Sequence, residues 1–191
     1  MGLPRILKRL LPEQWVYKYE LGVLHRTINY DLSESEWREK GSVFPPPTSV
    51  KGAILKRYQK KYNATVWVET GTFMGDTTNS MINNFEYLHT IEFAEKLYQS
   101  AVKRFEDTPK ITVWHGDSGL VLPKVLSQIP SDAKCLFWLD GHYSGAVTGK
   151  SDLNTPIMKE LAAIFSHALH HVVLIDDARL FTGENDYPEV C

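Results

Sequence analysis

The chain has 191 residues, 43% of them hydrophobic and 23% charged, which is ordinary for a soluble globular protein with a sizeable core. Its net charge of -2 gives no global electrostatic basis for binding nucleic acid or an anionic membrane, and no apolar run is long enough to span a bilayer. The two cysteines do not suggest a disulfide framework, so we expect a reducing, cytoplasmic setting and no nucleic-acid partner.

The first part of the chain is predicted to be a helical appendage that ends in a proline-rich connector. Residues 5–20 carry apolar side chains at helical spacing, although Pro12 argues for a break. The connector Phe44–Pro47 is expected to be stiff and extended. We therefore divide the chain into an appendage with its connector, residues 1–47, and a second domain, residues 48–191.

Five short apolar runs in the second domain are predicted to be strands, and they alternate with four segments of helical periodicity. Continuous apolar runs such as residues 135–139 imply burial on both faces, hence a parallel sheet covered by helices on both faces. Right-handed crossovers then give a doubly wound, Rossmann-like α/β sheet of order 3-2-1-4-5, with ligands beyond the carboxyl ends of the strands. The predicted strands are 64–69, 87–92, 110–115, 134–140 and 171–176, and the predicted helices lie near 76–84, 94–106, 118–128 and 155–168.

The first predicted strand ends in an acid and runs into a glycine-rich turn. Glu69, Gly71 and Gly75 have the spacing Glu-x-Gly-x-x-x-Gly, which lacks the middle glycine of Gly-x-Gly-x-x-Gly. Glycine lets the backbone pass close to a ligand, so we expect Gly71→Val to intrude on ligand space without unfolding the sheet. The spacing is the form found in class I S-adenosylmethionine (SAM)-dependent methyltransferases, which this chain resembles.

The acids that follow strands 2 and 3 extend the resemblance. Glu92 lies 23 positions after Glu69, where doubly wound folds place an acid on the ribose hydroxyls, although it could instead cap a helix. The resemblance implies that Asp117 faces the adenine amino group and the N–H of Ser118 meets the ring; Asp117 could also cap the next helix. It also places Glu69 near the ammonium of SAM. The implied cofactor residues are Glu69, Gly71, Thr72, Gly75, Glu92, Asp117, Ser118 and Asp140.

Three further acids, Asp140, Asp176 and Asp177, follow predicted strands 4 and 5. Their carboxylates would repel one another unless a cation lies between them, and Mg²⁺ takes oxygen ligands of this kind. The pattern resembles metal-dependent O-methyltransferases of the catechol and macrolide-sugar types; helix capping is the alternative. His142 is a candidate general base beside Asp140, and it could instead contact substrate or be an exposed loop residue.

The resemblance implies O-methylation of a small hydroxylated acceptor, a sugar or natural-product intermediate, with help from a divalent metal. In this family a helix and two strands usually follow strand 5, and the sequence ends about fifteen residues after it. Three alternatives stay open: the appendage covers the edge of strand 5, a second copy of the chain covers it, or the sequence is a shortened version of a longer protein. Three other functions stay open. They are a metal-dependent hydrolase using the same acids, a nicotinamide oxidoreductase with Glu92 on the ribose, and a non-catalytic Rossmann-like binding or interaction domain.

Overall fold

The computed structural model describes residues 11–28, 32–141, 155–168, 170–176 and 178–183. These residues fall in two compact units, which divide after Leu55. Among the helices in these ranges, none has both the length and the apolar character that a membrane span requires.

The first unit contains α1 (Glu13–Ile28), α2 (Glu34–Glu39) and the start of α3 (Thr48–Tyr62). Helix α1 begins directly after Pro12, and the part of the predicted helix that precedes residue 11 lies outside the described residues. The proline-rich connector bends at residues 44 and 45, so it is not extended throughout as predicted.

The second unit is a five-stranded parallel sheet with order β3-β2-β1-β4-β5, as the sequence predicted. Helices pack around it, and short 3₁₀ turns follow α4 and β5. Its elements are β1 (Val66–Thr70), α4 (Asp76–Met81), β2 (Tyr87–Glu92), α5 (Glu95–Arg104), β3 (Ile111–His115), α6 (Ser118–Leu126), β4 (Cys135–Leu139), α7 (Ile157–Ser166) and β5 (Val172–Ile175).

The central strands are buried on both faces, which is why their apolar runs are continuous. All five residues of β1 and all five of β4 are buried. One face of the sheet packs against α6 and α7, and on the other face the indole of Trp67 lies against Phe85 at 5.6 Å. The main core cluster consists of Val66, Val68, Ile91, Leu122, Val125, Leu126, Ile129, Cys135, Phe137, Leu139, Ile157 and Ile164.

The carboxyl ends of neighbouring strands lie level with one another. Thr70 pairs with Ile91 and with Leu139, and Leu139 pairs with Ile175. Backbone hydrogen bonds continue one residue past the strands, from the amide of Asp140 to the carbonyl of Thr70. The residues that follow the strands are therefore brought together at the carboxyl end of the sheet, called its ligand edge below. This is where ligands bind in doubly wound folds.

Candidate functional site

A buried carboxylate, that of Glu69, closes β1. The side chain is only 1% exposed, and its Oε2 accepts hydrogen bonds from the hydroxyls of Thr78 at 2.6 Å and Thr90 at 2.8 Å. Thr78 in turn accepts a hydrogen bond from the indole N–H of Trp67 at 3.0 Å. A charge can be buried when hydrogen bonds satisfy it, and here the donors come from β2 and α4. Glu69 therefore fixes these two elements against β1.

The same network determines whether the hydroxyl of Thr72 donates or accepts its hydrogen bond with Thr90. Thr72 Oγ1 and Thr90 Oγ1 are 2.6 Å apart. A hydroxyl has one proton to donate, and Thr90 uses its proton on Glu69. Thr72 must therefore donate to Thr90, and it keeps its lone pairs for other donors. The predicted contact between Glu69 and the ammonium of SAM stays a prediction.

The glycine-rich turn packs against the end of β4. Gly71 has φ of +84°, and a Cβ there would lie 2.4 Å from the backbone oxygen of Asp140. Gly75 has φ of +80°, and its Cβ would lie 2.9 Å from the ring of Phe105. Both glycines are thus required by the fold itself. The expectation that Gly71→Val would leave the sheet intact is corrected, because the added side chain meets backbone inside the protein.

Glu92 is held at the end of β2 by backbone amides from two sides. Its Oε2 accepts the N–H of Phe73 and its Oε1 accepts the N–H of Ala94, each at 2.8 Å. Burial raises the pKa of Glu92, and these backbone N–H groups and His115 oppose the shift. The bond to Ala94 matches the predicted capping role. A carboxylate offers about four acceptor positions, more than these backbone amides fill, so a ligand hydroxyl can also bind.

The first turn of α6 carries the next two predicted residues. The Oδ1 of Asp117 accepts the N–H of Gly119 at 2.9 Å, so Asp117 caps α6 as one of the two predicted roles requires. The hydroxyl of Ser118 does not point to solvent: it donates to Oε1 of Glu160 at 2.5 Å. This turn is therefore held by side-chain hydrogen bonds on both of its first residues.

Glu160, on α7, is a buried acid that sequence reasoning missed. Only 1% of the residue is exposed, and a Cβ on Gly141 would lie 3.2 Å from its Oε1. Burial above all, with smaller contributions from the charges of Asp117 and Asp140, raises the pKa of Glu160 to about 7, and the hydrogen bond from Ser118 opposes this rise. The nearby hydroxyl of Thr70 also lowers this pKa, although its geometry falls short of an ordinary hydrogen bond.

A signal for Glu160 was present in the sequence. Helix α7 buries Ile157 and Ile164, and Glu160 falls on the same stripe at helical spacing. An acid on an apolar stripe must find buried partners, but the sequence alone does not say which ones. Phe73 gave no signal at all: it has φ of 49°, an uncommon value outside glycine, and it supplies the amide that binds Glu92.

The predicted metal residues are described only in part. Asp140 follows β4 and Asp176 follows β5, and because Leu139 pairs with Ile175 the two acids are neighbours at the edge of the sheet. His142 and Asp177 lie outside the described residues. Within the described ranges, no group of three or more His, Cys, Asp or Glu residues is placed to hold a metal ion.

No protein-family model matches the sequence, and no curated protein matches it either. Solved structures do match. The O-methyltransferase TomG from Streptomyces achromogenes, which is involved in tomaymycin synthesis and was solved with SAM, is 16% identical with a TM-score of 0.55, over 87% of this chain and 76% of that one.

A second match is the methyltransferase PaMTH1 from Podospora anserina, solved with S-adenosylhomocysteine (SAH). It is 13% identical with a TM-score of 0.53, over 93% of this chain and 77% of that one. Similarity at these identities establishes the fold. The chain therefore has the fold of class I SAM-dependent methyltransferases, as the sequence predicted.

The contact between Gly71 and β4 predicts a stability difference between two glycine substitutions. Gly41 has the same φ of +84°, but nothing lies within 4 Å of its Cβ position. Gly71→Ala should therefore lower the free energy of unfolding by about 1–3 kcal/mol more than Gly41→Ala, which isolates the clash with Asp140 from the backbone strain. Scanning calorimetry measures both losses, each from the unfolding transition that the substitution shifts. Equal losses would show that β4 can move aside.

The buried acid predicts a pH dependence of stability. The pKa of Glu160 is raised from its ordinary 4.5 to about 7, so the folded state holds this proton more tightly than the unfolded state does. The contribution of Glu160 to the free energy of unfolding is therefore most favourable below pH 4.5 and declines as the pH rises to about 7. The total loss across this range is about 3 kcal/mol.

Glu160→Gln removes this titration and keeps an acceptor for Ser118. The variant should be more stable than the wild type above pH 7, and the difference should shrink as the pH falls toward 4.5. Urea unfolding at a series of pH values measures it. The exposed Glu86→Gln is the matched control and should follow the wild type. If the free energies of unfolding of Glu160→Gln and the wild type differ by the same amount at every pH, the raised pKa of Glu160 is wrong.

Proposed function

We propose that the protein is a SAM-dependent methyltransferase. One observation carries the proposal. Glu92 is a buried carboxylate at the end of β2, and the glycine-rich turn donates a hydrogen bond to it from the N–H of Phe73. The turn and the acid thus form one structural unit at the edge where doubly wound folds bind ligands. The fold shared with SAM- and SAH-bound methyltransferases supports the same function.

The residues present fit the cofactor chemically. The carboxylate of Glu92 can accept more hydrogen bonds than its backbone amides supply, which suits ribose hydroxyls. Asp117 uses only Oδ1 in the helix cap, and we assign it to the adenine amino group, with the N–H of Ser118 on the ring. Glu69, Thr72 and the turn are assigned to the amino-acid end. SAM supplies the electrophilic methyl group when bound.

The acceptor is proposed to be a small hydroxylated molecule that is methylated on oxygen. Methyl transfer from a sulfonium is an in-line displacement, so the chain contributes mainly by holding acceptor and cofactor in line. The acceptor hydroxyl must also lose its proton, and we assign His142 as the base that takes it, beside Asp140. O-methyltransferases such as TomG support transfer to oxygen.

A divalent metal is proposed to assist. Asp140 and Asp176 follow paired residues of adjacent strands, and their carboxylates are hard oxygen ligands of the kind that Mg²⁺ prefers. With Asp177, which lies outside the described residues, they would hold the ion. When bound, Mg²⁺ would lower the pKa of an acceptor hydroxyl. The same acids would repel one another without it.

The proposed contact of Glu92 with the ribose predicts that the protein distinguishes nucleosides with and without a 2′-hydroxyl. Glu92→Ala should weaken SAM and SAH by about 1.5–3 kcal/mol, roughly 10- to 150-fold. Because the substitution also removes bonds to Phe73 and Ala94, adenosine and 2′-deoxyadenosine provide the control. The wild type should prefer adenosine, and Glu92→Ala should lose that preference. If calorimetry shows both nucleosides weakened by the same factor, Glu92 has only a structural role.

The metal proposal predicts ion-dependent melting. Mg²⁺, Mn²⁺ or Ca²⁺ should raise the melting temperature of the wild type, because a ligand of the folded state stabilises it by mass action. Asp176→Asn should lose much of this rise and should be more stable than the wild type in chelator, since it relieves repulsion. The exposed Asp132→Asn is the control and should keep the full rise. A wild type without an ion-dependent shift would leave acceptor activation to His142 alone.

A further inference from the structure

The carboxyl of Glu160 touches the ends of three different elements of the second unit. It comes from the first turn of α7, accepts the hydroxyl of Ser118 at the start of α6, and lies against Gly141 after β4 and Thr70 at the end of β1. These are the elements that meet where the strand order reverses between β1 and β4.

The bond to Ser118 is supported by the close approach of the two helices. A Cβ on Gly119 would lie 2.7 Å from the Cβ of Lys159, so α6 and α7 are in near contact one residue away from the Ser118–Glu160 bond. The helices therefore cannot slide past each other without breaking this bond. The Ser118–Glu160 bond therefore ties the first turn of α6 to α7.

The contact with Gly141 extends this control to β4. A Cβ at position 141 would lie 3.1 Å from Thr70 Oγ1 and 3.2 Å from Glu160 Oε1, both tighter than ordinary contacts. Position 141 therefore has no room for a side chain beside the carboxyl of Glu160. Any displacement of Glu160 would therefore affect both the first turn of α6 and the backbone at Gly141, directly after β4.

A buried acid is an expensive way to fill this position. Burial disfavours its charged form, and Ile157 and Ile164 on the same helix show that an apolar side chain would pack there. What an apolar side chain lacks is an acceptor for Ser118. The acid is therefore explained by what it holds in place and not by the stability it adds.

We propose that Glu160 is a positioning residue for the cofactor site, joining the α6 turn that carries Asp117 and Ser118 to the exit of β4 at Gly141. The inference rests on the proposed function, because the α6 turn matters to a ligand only if adenine binds there. Glu160 itself is buried and acts through Ser118 and Gly141.

Calorimetric titration with SAH tests the inference in five proteins: the wild type, Glu160→Leu, Ser118→Ala, the double variant and Glu160→Gln. Each of the first two substitutions should weaken SAH about tenfold, and the double variant should lose about the same factor, because both break one bond. Glu160→Gln keeps the acceptor and should bind within about twofold of the wild type.

Ile164→Val is the matched control, since it removes a core methyl group from the same helix one turn away. It should lower the melting temperature without changing the SAH affinity. A Glu160→Leu protein with wild-type affinity, or single losses that add to about a hundredfold in the double variant, would overturn the proposal. If Glu160→Leu does not fold, wild-type affinity in Ser118→Ala overturns it alone. A wild type that binds no SAH would instead overturn the proposed function, and this inference with it.

Discussion

The buried carboxylate of Glu69 is the constraint on which the ligand edge of the sheet depends. A carboxyl group that is 1% exposed must be satisfied by hydrogen bonds, and the hydroxyls that donate to it come from different elements, Thr90 on β2 and Thr78 on α4. The glycine-rich turn lies between β1 and α4, so its two ends are fixed. The turn can then present Phe73 to Glu92, which makes the second buried acid depend on the first.

Three buried acids thus organise this edge: Glu69 at β1, Glu92 at β2 and Glu160 on α7. Each is hydrogen-bonded to hydroxyls or backbone amides, and Asp117 adds a helix cap between them. Groups held in this way do not need to reorganise when a ligand arrives, which favours binding by a pre-formed site. Glu160 links the first turn of α6, to which we assign adenine, to α7.

The fold was predictable because the signals that specify it are local. Continuous apolar runs predicted the buried parallel strands, and the acids that follow them predicted the ligand edge. The capping box of Ser33 and Glu36, by contrast, starts a short helix that sequence reasoning passed over although its pattern is local.

The contacts inside the site were not predictable, because they join residues far apart in the chain. The packing of Gly71 on Asp140 and the bond between Ser118 and Glu160 exist only once β4 and α7 lie beside β1. Sequence reasoning therefore assigned Gly71 to ligand contact alone, where the structure also requires it for strand packing. Side-chain partners of this kind follow from the topology and not from spacing.

We propose that the carboxyl end of this sheet binds an adenosyl sulfur compound. Isothermal titration of the unmodified protein with SAH, and separately with NAD⁺, tests it most directly. Both ligands offer an adenosine to Glu92, but only SAH carries the amino-acid end that the Glu69 turn is proposed to hold. We expect saturable binding of SAH and no binding of NAD⁺. Binding of NAD⁺ without SAH would contradict it.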